Sequence, residues 1–159
     1  MTFPITNIAI IVAALSSGLL AGVYFAFSTF IMQAFARLPS DQGIAAMQSI
    51  NTTIVRSPFI VLFLLTAALS IFVAVMAILY WRGGTSVLML AGAALYIVAS
   101  LLSTMIFNVP LNDALDKVDG HSAESAQLWS TYLVDWTRWN HVRTVASLLA
   151  ACAFVKALF

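Results

Sequence analysis

The chain has 159 residues, 62% of them apolar and only 8% charged, with a formal net charge of +1. Soluble domains carry about 25% charged residues, so water alone cannot solvate this sequence and a lipid bilayer must be part of its solvent. No basic run is present that could follow a phosphate backbone, which excludes nucleic acid as a partner.

The first apolar stretch covers about residues 5–35, with no charge until Arg37. It lacks the basic start and short core of a signal peptide, so it is expected to remain as a membrane span. Ala14, Gly18, Gly22 and Ala26 recur every four residues, a small-residue stripe that would let a second helix approach closely. Ser17, Tyr24 and Ser28 fall on an adjacent face, where they either line an interior cavity or bond back to their own helix. After Arg37-Leu-Pro, Ser40 or Asp41 is placed to cap a short helix over about residues 42–54. Ile44, Met47, Ile50 and Ile54 share one face of it, while Gln48 and Asn51 point elsewhere. Too short and too polar to span, this helix should lie at the membrane interface or over the mouth of the bundle.

Ser57-Pro58 opens the second span, about residues 58–81, with serine as cap and proline in the first turn. Tyr80-Trp81 suits the headgroup level, and Gly83-Gly84 turns the chain directly into a third span over about residues 86–108. Asn108, Asn112 and Asp116 are spaced i, i+4, i+8, so a helix continuing through them carries all three on one face. Pro110 within that helix removes a hydrogen bond near Ile106 and should kink it, leaving a carbonyl for a neighbour, a water or a ligand. Residues 117–124 form an aqueous loop in which His121 is solvated, and Ser122 caps the next helix.

From Ala123 a helical pattern runs to the end without a breaker. Its charge-free part, Val145 to Val155, is too short to cross about 30 Å of hydrocarbon. The fourth span therefore has to begin near residue 136 and run to about 158, drawing Asn140, His141 and Arg143 to or below the membrane boundary. The expected architecture is all-α: one integral membrane domain over residues 1–159, a four-helix bundle with a short interfacial helix between spans 1 and 2 and an amphipathic extension before span 4. A multi-pass protein of a bacterial inner (plasma) membrane is expected. The count of Lys and Arg favours the side of the two polar connections as cytoplasmic, but that vote weakens once Arg138 and Arg143 are set aside for a site, so orientation stays open. Cys152 reads as a buried, inert thiol, and a homo-oligomer is left open.

The stretch Trp129 to Thr144 holds three of the four tryptophans, one of the two histidines and two of the seven basic residues. Trp129, Trp136 and Arg143 are seven apart and lie near one stripe, with Tyr132, Trp139 and Asn140 beside it. Trp139 and Arg143 are placed for a cation–π contact, and Asp135 and Arg138 for an ion pair. For Trp129 and Tyr132 the alternative is simple anchoring at the membrane interface. Two histidines twenty residues apart with no cysteine cluster make a poor metal site, and none is expected. A haem on His141 is not excluded. A wall of aromatic rings with amides, an arginine and a histidine suits a flat aromatic ligand that becomes an anion.

Asn-Val-Pro-Leu-Asn at 108–112, together with Trp136-x-x-Trp139-Asn140-x-x-Arg143-Thr144, resembles the DUF1772 membrane proteins, the anthrone oxygenase-like family. The Gly-x-x-Phe-Ala-Phe-Ser-Thr-Phe segment at 22–30 and the segment 42–51 are similar too, so the likeness covers nearly the whole chain. The resemblance implies a membrane-embedded oxygenase of hydrophobic, anthrone-like aromatics, with Asn108, Pro110, Asn112, Trp136, Trp139, Asn140 and Arg143 at its site. An anthrone enolate can reduce O2 directly, so the expected reaction uses O2 as co-substrate and no cofactor. The protein would then supply a base, an oxyanion stabiliser and a dry pocket. His141 is expected as the base with Asp135 as its alternative, and Arg143, Asn108, Asn112 and Asn140 as stabilisers of the oxyanion. Trp136 and Trp139, with Tyr132 and Tyr24, would hold the rings. The competing readings are a non-catalytic membrane protein that binds a quinone-like or lipid ligand, and a small transporter.

Overall fold

A computed structural model describes residues 2–159, and among them every regular element is helical. The first rod joins α1 (Thr2–Ala26), a π-helical segment (Phe27–Ile31) and α2 (Met32–Phe35). A short helix, α3 (Ser40–Ile54), follows, then α4 (Pro58–Leu79). The next rod, Gly84–Leu115, contains α5 (Gly84–Ala94), two π-helical segments (Leu95–Leu102 and Thr104–Asn108) and α6 (Val109–Leu115). The last helix, α7 (Ala123–Lys156), is unbroken for 34 residues. At 1.5 Å per residue it is about 50 Å long, more than hydrocarbon alone requires.

Three stretches, Pro4–Phe35, Pro58–Leu79 and Gly84–Leu115, are long and apolar enough to cross a membrane. The protein is an integral membrane protein. Large apolar side chains such as Ile8, Leu15, Leu64, Ile78 and Leu149 point outward, the distribution expected where the solvent is lipid. α7 is more polar than the other three, yet it packs against both α1 and α5, and α4 closes the ring between them.

Local chemistry explains most element ends. Ser57 Oγ accepts the Phe59 N–H, and Pro58 occupies the first turn of α4, where its missing donor is not needed. Gly83 turns the chain at φ 57°, a conformation that favours glycine. Ser122 Oγ accepts the Ser125 N–H at the start of α7. The beginning of α3 differs from expectation: the helix starts at Ser40, Pro39 stands in the cap position, and no side chain caps it.

Pro110 does not break its rod either. The wide turn Thr104–Asn108 precedes it, with the Val109 N–H bonded to the Thr104 carbonyl five residues back. α6 then restarts with proline in its first turn, so the missing N–H falls where a helix has donors to spare. The rod therefore runs to Leu115, beyond the boundary at 108 that hydropathy suggested.

The small-residue stripe on α1 is used only in part. A Cβ at Gly18 would stand 4.0 Å from Ala151 Cβ on α7, whereas one at Gly22 would meet open space. The buried face is carried instead by Ile10, Ala13, Ser17, Leu20, Ala21, Tyr24 and Ser28. Cys152 is exposed, not buried, because it lies off the α7 stripe formed by Ser147, Ala150, Ala151 and Phe154. Gly92 of α5 lies against the Phe154 ring, so a Cβ there would stand 2.8 Å from a ring carbon. Gly92→Ala should therefore lower stability by about 1–3 kcal/mol through overpacking. Gly22→Ala, with nothing in its way, should be neutral or slightly stabilising through helix propensity. Thermal unfolding of the two variants in detergent compares them directly.

Candidate functional site

A cavity of about 210 Å³ lies between the first rod, α3, the start of α4, the end of the third rod and α7. Val23, Phe27, Met47, Phe59, Phe63 and Trp136 make its apolar walls. Tyr24, Thr104, Asn140 and Arg143 form one polar group on the lining, and Asn51, Asn112, Asp113 and Asp116 form another. Asp113 and Asp116 are exposed and mark the side that meets solvent, while Asn140 is fully buried and Arg143 nearly so.

Asn140 is the hub of the buried group. Its Nδ2 donates to the Tyr24 carbonyl and to Ser28 Oγ, both at 2.7 Å, which ties α7 to the first rod. Ser28 and Thr144 hydroxyls are 3.1 Å apart, and Thr144 Oγ1 donates back to the Asn140 carbonyl, closing the loop. Asn140 Oδ1 in turn accepts a hydrogen bond from Arg143 at 2.7 Å. Ser28 comes within reach because it sits in the π-helical segment of the first rod, where the helix widens and its side-chain register shifts.

Arg143 makes a second, longer contact of 3.4 Å to Thr104 Oγ1. Both of these partners are neutral. Its guanidinium carbon lies 4.6 Å from the Tyr24 ring centre and 5.0 Å from that of Trp136, so aromatic faces supply much of its electrostatic support. Its Nε has no partner, and Trp136 Nε1 and Asn108 Oδ1 are also buried without one. The Tyr24 hydroxyl lies near Ser100 without a well-formed hydrogen bond.

The second polar group is organised by α3. Gln48 Nε2 donates to the Leu115 and Val118 carbonyls at the end of α6, both at 2.9 Å. Asn51 Nδ2 donates to Asp116 Oδ1 at 3.1 Å. Asn112 Oδ1 accepts the Tyr132 hydroxyl at 2.8 Å. Burial pushes the Tyr132 phenol well above its ordinary value, against the pull of Arg143, so it acts here as a neutral donor. Met47, Ile50, Asn51 and Ile54 place α3 over the cavity, and Gly43 lets its first turn settle on the Trp129 indole.

The residues expected at the site divide clearly. Tyr24, Asn112, Trp136, Asn140 and Arg143 all line this cavity. Asn108 stands behind them, donating to the Trp136 carbonyl at 3.2 Å and so locking the third rod to α7. Tyr132 supports Asn112 and stacks between Trp129 and Trp136 without lining the cavity. Trp129 is buried beneath α3 rather than anchored at an interface.

Three expectations need correction. His141 lies on the exposed face of α7 and Asp135 is half-buried, and neither lines the cavity, so neither is placed to serve as base there. Trp139 does not pair with Arg143. Its ring stacks flat on Phe107 at 3.5 Å, away from the cavity. The physical reason is the helix turn itself: from Trp136, residues 140 and 143 lie within roughly 40° of the same direction, whereas 141 is roughly 140° away.

Residues the sequence did not single out for the site include Phe27, Met47, Asn51, Thr104 and Asp113. Asp116 was legible only as the third member of the i, i+4, i+8 set. Among the described residues no three of His, Cys, Asp and Glu come together as a metal site, and neither histidine reaches the cavity to ligate a haem within it.

A family model described as anthrone oxygenase matches residues 55–153. The chain belongs to the anthrone oxygenase family. No curated protein and no solved structure matches it. The part of this anthrone oxygenase family member that matches carries Asn112, Asp116, Trp136, Asn140 and Arg143, while Tyr24, Ser28 and all of α3 lie before it.

Asn140→Ala would leave the Tyr24 carbonyl, Ser28 and Arg143 each short of a partner. It should cost about 1–3 kcal/mol or more, the penalty for stranding buried polar groups. His141→Ala, on the outward face, should leave the thermal midpoint unchanged. Parallel melting curves in detergent check both.

Proposed function

We propose that the protein is a membrane-embedded oxygenase of a small, flat, hydrophobic aromatic ketone of the anthrone class. It acts by oxidation of the substrate's enolate, with O2 as co-substrate and no bound cofactor. Besides the family match, one observation carries this reading. A buried guanidinium with neutral hydrogen-bond partners sits at the wall of an otherwise aromatic cavity. A cation kept in an apolar interior is costly unless something answers it. A substrate oxygen that gains negative charge during the reaction does so. At about 210 Å³ the cavity is smaller than the roughly 300–1,000 Å³ of sites for drug-sized ligands, which favours a compact ring system.

In this reading, Arg143 and the amide set around Asn140 stabilise the oxygen as the ketone becomes an enolate. Trp136, Phe27 and Phe59 bound the rings. The apolar walls and α3 limit water, which would otherwise reprotonate the carbanion. The enolate then transfers electrons to O2 within the pocket. α7 is the fourth crossing helix, entering the membrane near residue 136, in a multi-pass protein of a bacterial inner membrane.

Anthrone-dependent O2 uptake by the purified protein in lipid nanodiscs tests the proposal. Arg143→Met should lower kcat by about 10²–10³-fold, the cost of removing a preorganised donor to a developing oxyanion. His141→Ala should retain full uptake. Full uptake by Arg143→Met would sink the assignment, and saturable binding of anthrone without any O2 uptake would favour a non-catalytic binding protein.

A further inference from the structure

Forming an enolate requires a proton acceptor as well as an oxyanion partner. Something must take the proton from the substrate's CH2 group, and with His141 and Asp135 outside the cavity, the carboxylates on its lining are Asp113 and Asp116. Building on the oxygenase reading, we propose that Asp116 is the proton acceptor, held in place by Asn51 of α3.

Position supports this choice. An anthrone carries its ketone oxygen and its acidic CH2 on opposite edges of the central ring. The cavity is likewise two-ended: Arg143 and Asn140 are buried, and the two carboxylates lie on the exposed side. A ring seated with its oxygen toward Arg143 therefore presents its CH2 toward the carboxylates.

Asp116 is the better fixed of the two. Asn51 Nδ2 bonds its Oδ1 at 3.1 Å, which leaves the second carboxylate oxygen to accept a proton. Gln48 fastens α3 to the carbonyls of Leu115 and Val118 on either side of it. The helix that covers the cavity thus also orients the base.

The balance of the reaction is complete with O2 as oxidant. Asp116 takes one proton from the CH2, and the electron pair moves to the ketone oxygen beside Arg143. The enolate carbon bonds to O2, which is reduced to a peroxide and takes up the proton. Loss of the second C–H proton forms the new C=O as the O–O bond breaks, and the departing hydroxide gains that proton to become water. One anthrone and one O2 give one anthraquinone and one water.

The test separates proton transfer from oxygenation. Anthrone is incubated anaerobically in D2O with full-length protein in nanodiscs, and deuterium entry at the CH2 is followed by mass spectrometry. Wild type should exceed the buffer rate, and Asp116→Asn should lose about 10²-fold or more of that excess, as expected for a general base. Formate should restore part of the exchange in Asp116→Ala, and the melting curve of Asp116→Asn should match wild type. Exchange without aerobic O2 uptake would keep Asp116 as proton acceptor while removing the oxygenase reading. Wild-type exchange no faster than buffer overturns the assignment. So does full exchange in Asp116→Asn, or a loss that appears only in Asp113→Asn.

Discussion

A guanidinium placed inside an apolar helix bundle has to be stabilised by something other than water. Here the work is done by a carboxamide and two aromatic faces rather than by an acid. That choice has a consequence for reactivity. A carboxylate partner would neutralise Arg143 and tie up its donors. Asn140 orients it without cancelling its charge, so the field at the cavity wall stays positive. Asn140 can do this because its amide is itself fixed at both ends, donating to the first rod and accepting from the arginine.

The same constraint shapes the backbone. The Ser28 hydroxyl lies in one π-helical segment and Asn108 in another, and each bonds to α7 at Asn140 or Trp136. Wide turns of this kind cost hydrogen-bond quality and tend to persist where a site needs a shifted register. Pro110 accompanies the second of them without a break in the rod. Around this rigid group, α3 is attached by a different kind of contact: side-chain amides at the rim and one close approach at Gly43. The deep half of the cavity is thus built by rods, and the outer half by a short element held at a few polar points.

Much of this was readable from residue order. Composition gave the membrane class, Ser57-Pro58 and Gly83 gave the turns, and the uninterrupted pattern after Ala123 gave α7. The length of the apolar remainder, Val145 to Val155, placed Asn140 and Arg143 as buried polar groups, and they are. Helix geometry alone sets His141 on the far side from Trp136 and Arg143. Trp139 is a harder case, because it lies at the edge of the stripe and only the presence of Phe107 decides where its ring goes. Asn51 and Asp116 could not be paired in advance, because they are 65 residues apart and nothing local encodes their meeting. The role of Trp129 was hidden for the same reason, since its neighbour is a glycine on α3.

The cavity is also divided along the chain. Arg143, Asn140 and Asp116 come from the segment that matches the family model, whereas Val23, Phe27, Met47 and Ile50 come from before it. Both stretches contribute walls, with Phe59, Phe63 and Trp136 from the matching segment, and both contribute polar groups, with Tyr24 and Asn51 from the earlier one. Within residues 23–54, Tyr24, Ser28 and Asn51 hold polar groups of the later segment, so only substitutions that spare them can reshape which ring systems fit without disturbing those groups.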